Sequence, residues 1–146
     1  RTLAERFTGY INPAREVKGP VLPMSRPQGL TAEEIELLRT AAQKELEKER
    51  KFLALRNCFL LELLLATGLR AEEVRLLVIS QISEDLSWLK NVKTKGRRYR
   101  NVYVSSDIRE LFREYLDARQ QFLLSKFTPL RNATPQELTR LPVFIS

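Results

Sequence analysis

Two stretches of this chain carry residue types that can handle a phosphate. The first is Ala66-Thr67-Gly68-Leu69-Arg70-Ala71-Glu72-Glu73-Val74-Arg75-Leu76-Leu77. Arg70 falls between the expected end of one helix and the start of the next. Free main-chain amides and the positive end of the helix dipole favour an anion at such a place. A guanidinium there grips two phosphate oxygens at once, which an ammonium cannot do. Glu73, one turn further on, can hold Arg70 in position. The same residues also fit a plainer reading. In it Gly68 is a helix cap, and Arg70 pairs with Glu72 or Glu73 at the surface, an arrangement that is common and weak.

The second stretch runs from Lys90 to Val104. Lys90, Lys93, Lys95, Arg97, Arg98 and Arg100 place six cations in eleven residues with no acid among them. A cationic hairpin with Gly96 at its turn can enter a DNA groove or lie along a phosphate backbone. Tyr99 and Tyr103 sit among the charges. Lysines also protect exposed edge strands from aggregation, but six cations exceed what such protection needs.

These residues need a scaffold, and the pattern around them supplies one. Thr31-Ala32-Glu33-Glu34 reads as a capping box, opening a helix with Ile35, Leu38, Ala42 and Leu46 on one face. A second helix is expected from about Phe52 to Thr67. It is apolar nearly all round between Cys58 and Ala66, as a central helix must be. Gly68 then suits a left-handed cap, with Leu69 folding back in a Schellman motif. A short third helix is expected over Ala71–Leu77. The period then changes to that of strands. Leu77–Ile82, Leu86–Val92 and Asn101–Val104 are expected to be three short strands. Ser83-Glu84-Asp85 makes one turn and Lys95-Gly96-Arg97 the other. Ser105 or Ser106 is expected to cap a fourth helix bearing Ile108, Leu111, Phe112, Tyr115, Leu116, Phe122 and Leu123. The fold class expected is mainly α with a small antiparallel three-stranded sheet, that is, α+β.

Composition narrows the function classes. The chain has 146 residues and a formal net charge of +7, which favours a polyanionic partner. It has no histidine and one cysteine. That removes histidine-based catalysis and most zinc sites from this stretch, argues against a disulfide framework, and suits a reducing cytoplasm. The most apolar run, Cys58–Ala66, is too short to span a bilayer. Residues 1–29 contain Pro13, Pro20, Pro23 and Pro27 and read as an interdomain linker. Its start, Leu3–Tyr10, reads as the end of a preceding helical domain. Both ends of the chain read as cuts from a longer protein.

Taken together, these motifs resemble those of the tyrosine recombinases, the phage-integrase family. Thr67-Gly68-Leu69-Arg70, with Glu73 and Leu77 following, is similar to the family's first box, T-G-x-R-x-x-E-x-x-x-L. Lys95-Gly96-Arg97-Arg98-Tyr99-Arg100 is similar to its hairpin turn, K-G-x-x-x-R, and Val102 and Val104 stand where small apolar residues follow. Asn12-Pro13-Ala14 and Arg26-Pro27-Gln28-Gly29-Leu30-Thr31 resemble its linker and the start of its catalytic domain. Val143-Phe144-Ile145-Ser146 resembles the strand before its second box.

The resemblance implies that residues 1–29 are the end of a core-binding domain and a linker. Residues 30–146 would be the N-terminal part of a catalytic domain. It also implies DNA cleavage and rejoining through a phosphotyrosyl intermediate, without metal or other cofactor. Arg70 and Lys95 would be catalytic, with Glu73 supporting Arg70. Lys93, Arg97, Arg98 and Arg100 would contact double-stranded DNA. The parent protein would act in the cytoplasm, away from membranes, and would oligomerise on DNA. The family's second box and its nucleophile have no counterpart in this stretch, so the stretch alone is expected to be inactive. Tyr10, Tyr99, Tyr103 and Tyr115 do not match the nucleophile. Three other readings compete: a non-catalytic DNA-binding regulator using the hairpin, a protein-interaction module, and a relative such as a telomere resolvase or type IB topoisomerase.

Overall fold

The computed structural model of the chain describes residues 29–49, 51–96 and 98–145. The expected linker and the helical end before it lie outside these residues, apart from Gly29. So does Arg97.

Helix α1 spans Ala32–Glu49. The capping box at its start forms in both directions. The Thr31 amide donates to Glu34 Oε2 over 2.8 Å, and the Glu34 amide donates to Thr31 Oγ1 over 3.2 Å. Of the expected apolar face, Ile35, Ala42 and Leu46 are half-buried, but Leu38 remains 42% exposed. The helix is held to its neighbour by a two-pronged ion pair, Arg39 Nε and Nη2 to Glu62, at 2.9 and 3.1 Å.

Helix α2, Phe52–Thr67, is the central helix expected from its composition. It buries Ala54, Leu55, Cys58, Phe59 and Leu63. Phe59 is wholly enclosed and stacks on Phe112 at 4.6 Å, Tyr115 at 5.0 Å and Phe144 at 5.6 Å between centroids. Each such pair contributes about 0.5–1.5 kcal/mol beyond the area it buries. These rings join α2 to helix α4 (Arg109–Lys126) and to the C-terminal segment.

The end of α2 departs in detail from expectation. Gly68 is left-handed, with φ of +61°, and its amide donates to Leu64 O over 3.0 Å. That is the single-bond left-handed cap, not the Schellman pair. The next amide, Leu69, bonds Thr67 Oγ1 at 3.4 Å, while Thr67 Oγ1 donates to Leu63 O at 2.5 Å. Leu69 still folds back into the core.

Short helix α3, Ala71–Arg75, follows. The sheet among the described residues has two strands, not three. They are β1, Trp88–Lys93, and β2, Tyr99–Tyr103. Leu77–Ile82 does not run along β1. Its main chain is claimed by the C-terminal segment: Val143 N donates to Leu77 O at 2.8 Å and Ile79 N to Leu141 O at 3.1 Å. Ile79–Gln81 forms a 3-10 turn, and only Ile82 bridges Leu89. The α+β class stands.

The turn before β1 is tied by Asp85. It accepts from Ser83 Oγ at 2.6 Å, from the Ser87 amide at 3.2 Å, and from Ser87 Oγ. These bonds hold its carboxyl well down, at about 2. Leu86 is left-handed, with φ of +58°, and β1 begins at Trp88 and not at Leu86.

A 3-10 turn, Ser106–Ile108, leads into α4, and neither Ser105 nor Ile108 caps by its side chain. The apolar stripe of α4 buries Phe112, Tyr115 and Leu123 as expected, but it also buries Arg119. Arg119 Nε and Nη2 donate to Pro142 O at 3.1 and 2.5 Å, and Nε donates to Val143 O at 2.9 Å. Two further turns, 3-10 Thr128–Asn132 and helix α5 (Pro135–Thr139), complete the described chain before this segment.

Candidate functional site

Arg70 stands where α2 has ended and α3 has not begun, with an extended backbone (φ −76°, ψ 151°). Its amide is one of the unpaired donors of a helix start. The Glu73 side chain satisfies it, accepting at Oε2 over 3.0 Å. Arginine has no acceptor to return the bond, so this is half of a capping box. The Arg70 side chain is held far more loosely. Its Nη1 lies 3.4 Å from Glu73 Oε1, and the side chain is 71% exposed.

Glu73 itself is buried, with only 3% of its side chain exposed. A buried carboxylate requires compensation. The second cation comes from the hairpin: Arg100 Nη2 donates to Glu73 Oε2 at 3.1 Å. The Arg70 amide bond lowers the Glu73 pKa most. Burial opposes it, and the Arg100 charge, the Arg100 bond and the Arg70 guanidinium lower it further.

The hairpin geometry explains the direction of Arg100. β1 and β2 are antiparallel, pairing Trp88 with Tyr103, Leu89 with Val102, Val92 with Arg100 and Lys93 with Tyr99. A bulge between Leu89 and Val92, with Asn91 at φ of +54°, shifts the register by one. Val92, Val102 and Val104 are buried, so Arg100, opposite Val92, shares the inner face. Lys93 and Tyr99 share the outer, exposed face.

Lys95 is exposed in the turn, beside Gly96 at φ of +85°. The turn is closed by the Thr94 amide bonding Arg98 O at 2.8 Å. Lys95 lies three positions beyond Val92, a reach of at most about 10 Å along the chain. Arg98 is exposed and Arg97 lies outside the described residues. The structure therefore joins Arg70, Glu73 and Arg100 directly, and carries Lys93, Lys95 and Arg98 on the hairpin that Arg100 anchors.

The inward role of Arg100 was open to sequence reasoning but missed there. Arg100 has the same strand parity as Val102 and Val104, which alternation places inside. Arg75, near Arg70 in sequence, is a surface partner of Glu72 at 2.7 Å, both well exposed. Among the described residues no cluster of histidine, cysteine, aspartate or glutamate could hold a metal ion. No helix among them is long and apolar enough to cross a membrane.

An exposed arginine at a helix junction, its main chain held by a buried glutamate beside a cationic hairpin, has the charge and the free donors to take an anion. Sequence comparison gives the class of protein. The Phage integrase family model matches residues 28–138, and the chain belongs to that family.

Among individual proteins, it is 34% identical over 106 residues to tyrosine recombinase XerC of Chlamydia trachomatis serovar L2, covering 73% of this chain and 32% of that protein. It is 32% identical over 108 residues to XerC of Erythrobacter litoralis, covering 74% and 35%. It is 29% identical over 116 residues to XerC of Chlamydia pneumoniae, covering 79% and 35%. The chain thus spans about a third of the length of the curated relatives it matches. No solved structure gives a significant match.

Proposed function

We propose that this chain is the N-terminal part of the catalytic domain of a tyrosine recombinase. In this reading residues 1–29 are the end of a core-binding domain and a linker, and the parent protein cuts and rejoins double-stranded DNA in the cytoplasm, assembling on it as an oligomer. The observation that carries the reading is the division of labour at Glu73. Its carboxylate grips the Arg70 main chain and is neutralised by Arg100. The Arg70 guanidinium is left exposed, with one long bond.

Arg70 then binds two oxygens of the scissile phosphate. A tyrosine hydroxyl, supplied from outside residues 29–145, gives its proton to solvent water as its oxygen attacks the phosphorus, and the bond to the 5′-oxygen breaks. The pentacoordinate transition state gains negative charge, which the fixed guanidinium stabilises. Lys95 gives its proton to the leaving 5′-oxygen. On rejoining, a 5′-hydroxyl attacks the phosphorus and returns its proton to Lys95, the bond from phosphorus to the tyrosine oxygen breaks, and that oxygen takes a proton back from solvent water. The bond energy stays in the covalent link, so no nucleotide cofactor is required.

Among the described tyrosines, Tyr115 is enclosed. Its hydroxyl donates to Val143 O at 2.9 Å, and burial pushes its pKa up to about 12. Tyr99 and Tyr103 are exposed strand residues of the hairpin. In this reading the described residues are a DNA-binding unit without strand cleavage of their own. Its test is binding to duplex DNA across a salt series. Affinity falling steeply with salt is expected, and salt-independent or absent binding would sink the reading.

A further inference from the structure

We propose, resting on the reading above, that Arg100 is a positioning residue and not a DNA ligand: it neutralises Glu73 so that the Arg70 guanidinium is free for the phosphate. Three observations converge on it. Arg100 sits opposite the buried Val92, on the inner face of the hairpin, so its side chain leaves the strand toward α3 and not toward the outer cationic face. Its Nη2 bonds Glu73 Oε2, the same oxygen that accepts the Arg70 amide, at 3.1 Å. The competing contact, Arg70 Nη1 to Oε1, is longer at 3.4 Å and comes from a side chain 71% exposed.

The electrostatics follow from burial. A carboxylate this enclosed keeps its charge only with a cation beside it. Were Arg70 the sole cation, drawing it to a phosphate would strand Glu73. With Arg100 in place, Arg70 can leave while its main chain stays pinned. The same bond ties the hairpin to the arginine turn, because Arg100 pairs with β1 and β1 leads into the turn carrying Lys95. One ion pair thus sets the two cationic motifs in register with each other.

The experiment has two arms on this chain. In the first, the Glu73 carboxyl is titrated by carbon-detected NMR without DNA. Arg100→Gln should raise its midpoint, and Arg100→Lys should restore it. Arg70→Gln should move it less, since the main-chain bond at residue 70 survives. In the second, affinity for a duplex of arbitrary sequence is followed against salt. Arg98→Gln should reduce the slope by about 0.9, as the loss of one phosphate contact does, with or without Arg70. Arg100→Gln should lower it no further in an Arg70→Gln background, because the contact it costs in the unaltered chain is that of Arg70, drawn back to Glu73.

In the Arg70→Gln background, an Arg100→Gln slope that falls like that of Arg98→Gln overturns the proposal, and so does a Glu73 midpoint that Arg100→Gln leaves unmoved. If Arg100→Gln does not fold, Glu73→Gln decides. Releasing Arg100 from Glu73 should steepen the salt dependence, whereas a residue already on DNA would leave it unchanged. If the chain binds no DNA at all, the proposed function fails, and the titration arm still decides the role of Arg100.

Discussion

The backbone amide of Arg70 donates to Glu73 Oε2 over 3.0 Å, so the carboxylate fixes residue 70 by its main chain, whatever side chain stands there. Replacing Arg70 by lysine should therefore leave α3 and its cap in place. In a protein that carries this chain together with its nucleophile, the change should slow strand cleavage about a hundredfold, equivalent to roughly 3 kcal/mol, because the fork that holds two transition-state oxygens is gone. The readout is the covalent protein–DNA adduct on a nicked site, with thermal melting to confirm folding. Adduct formation at the unaltered rate would return Arg70 to a surface partner of Glu73.

Neutralising the hairpin cations should act on DNA affinity one contact at a time. Lys93→Gln, Lys95→Gln and Arg98→Gln should each lower the slope of log affinity against log salt by about 0.9. All three side chains are exposed, and none serves the core. Arg97 is expected to behave as they do. Slopes equal to that of the unaltered chain would place the DNA path elsewhere.

Asp85 gives the turn before β1 an acid limit. Its carboxyl is held at about 2, mainly by the Ser83 hydroxyl, then by the Ser87 hydroxyl and amide. The folded value lies below that of an unfolded aspartate, near 4. The stability it adds is thus fully present above about pH 4 and is lost as pH falls toward 2. Asp85→Asn should abolish that part of the pH dependence in denaturant titrations run at successive pH values. An identical acid slope in both proteins would contradict it.

The buried arginine of α4 should matter more than the tyrosine beside it. Arg119 is the donor to Pro142 O at two nitrogens, while Val143 O receives both Arg119 and Tyr115. Tyr115→Phe leaves Val143 O still bonded, and it should cost about 1 kcal/mol. Arg119→Met leaves the Pro142 carbonyl without its Arg119 donors and removes one of two at Val143. It should cost more, about 2–3 kcal/mol. Denaturant midpoints would check the order, and a larger loss for Tyr115→Phe would reverse the assignment.

Much of the site was legible because its determinants are local. The Thr31–Glu34 capping box, the all-round apolar α2, the left-handed glycines at 68 and 96 and the alternation of Val102 and Val104 act over one helical turn or one strand pair. They place Arg70 at a helix junction and Lys95 at a hairpin turn without help from the rest of the chain. The exposed Leu38 shows the limit of the same logic. Periodicity names a face, but how much of that face is covered depends on the neighbour.

What only the tertiary structure decided is who claims each polar group. Leu77–Ile82 has strand-like composition, yet its amides and carbonyls bond Leu141–Val143 from the far end of the chain, leaving β1 one bridge. Arg119 stands on an apolar stripe because the carbonyls of Pro142 and Val143 arrive above it. Arg100 reads as one more cation of the hairpin until Glu73 is found beside it. A sequence states the donors, the acceptors and their local geometry. Buried polar groups must all find partners, and which distant segment supplies each partner is settled only when the chain packs.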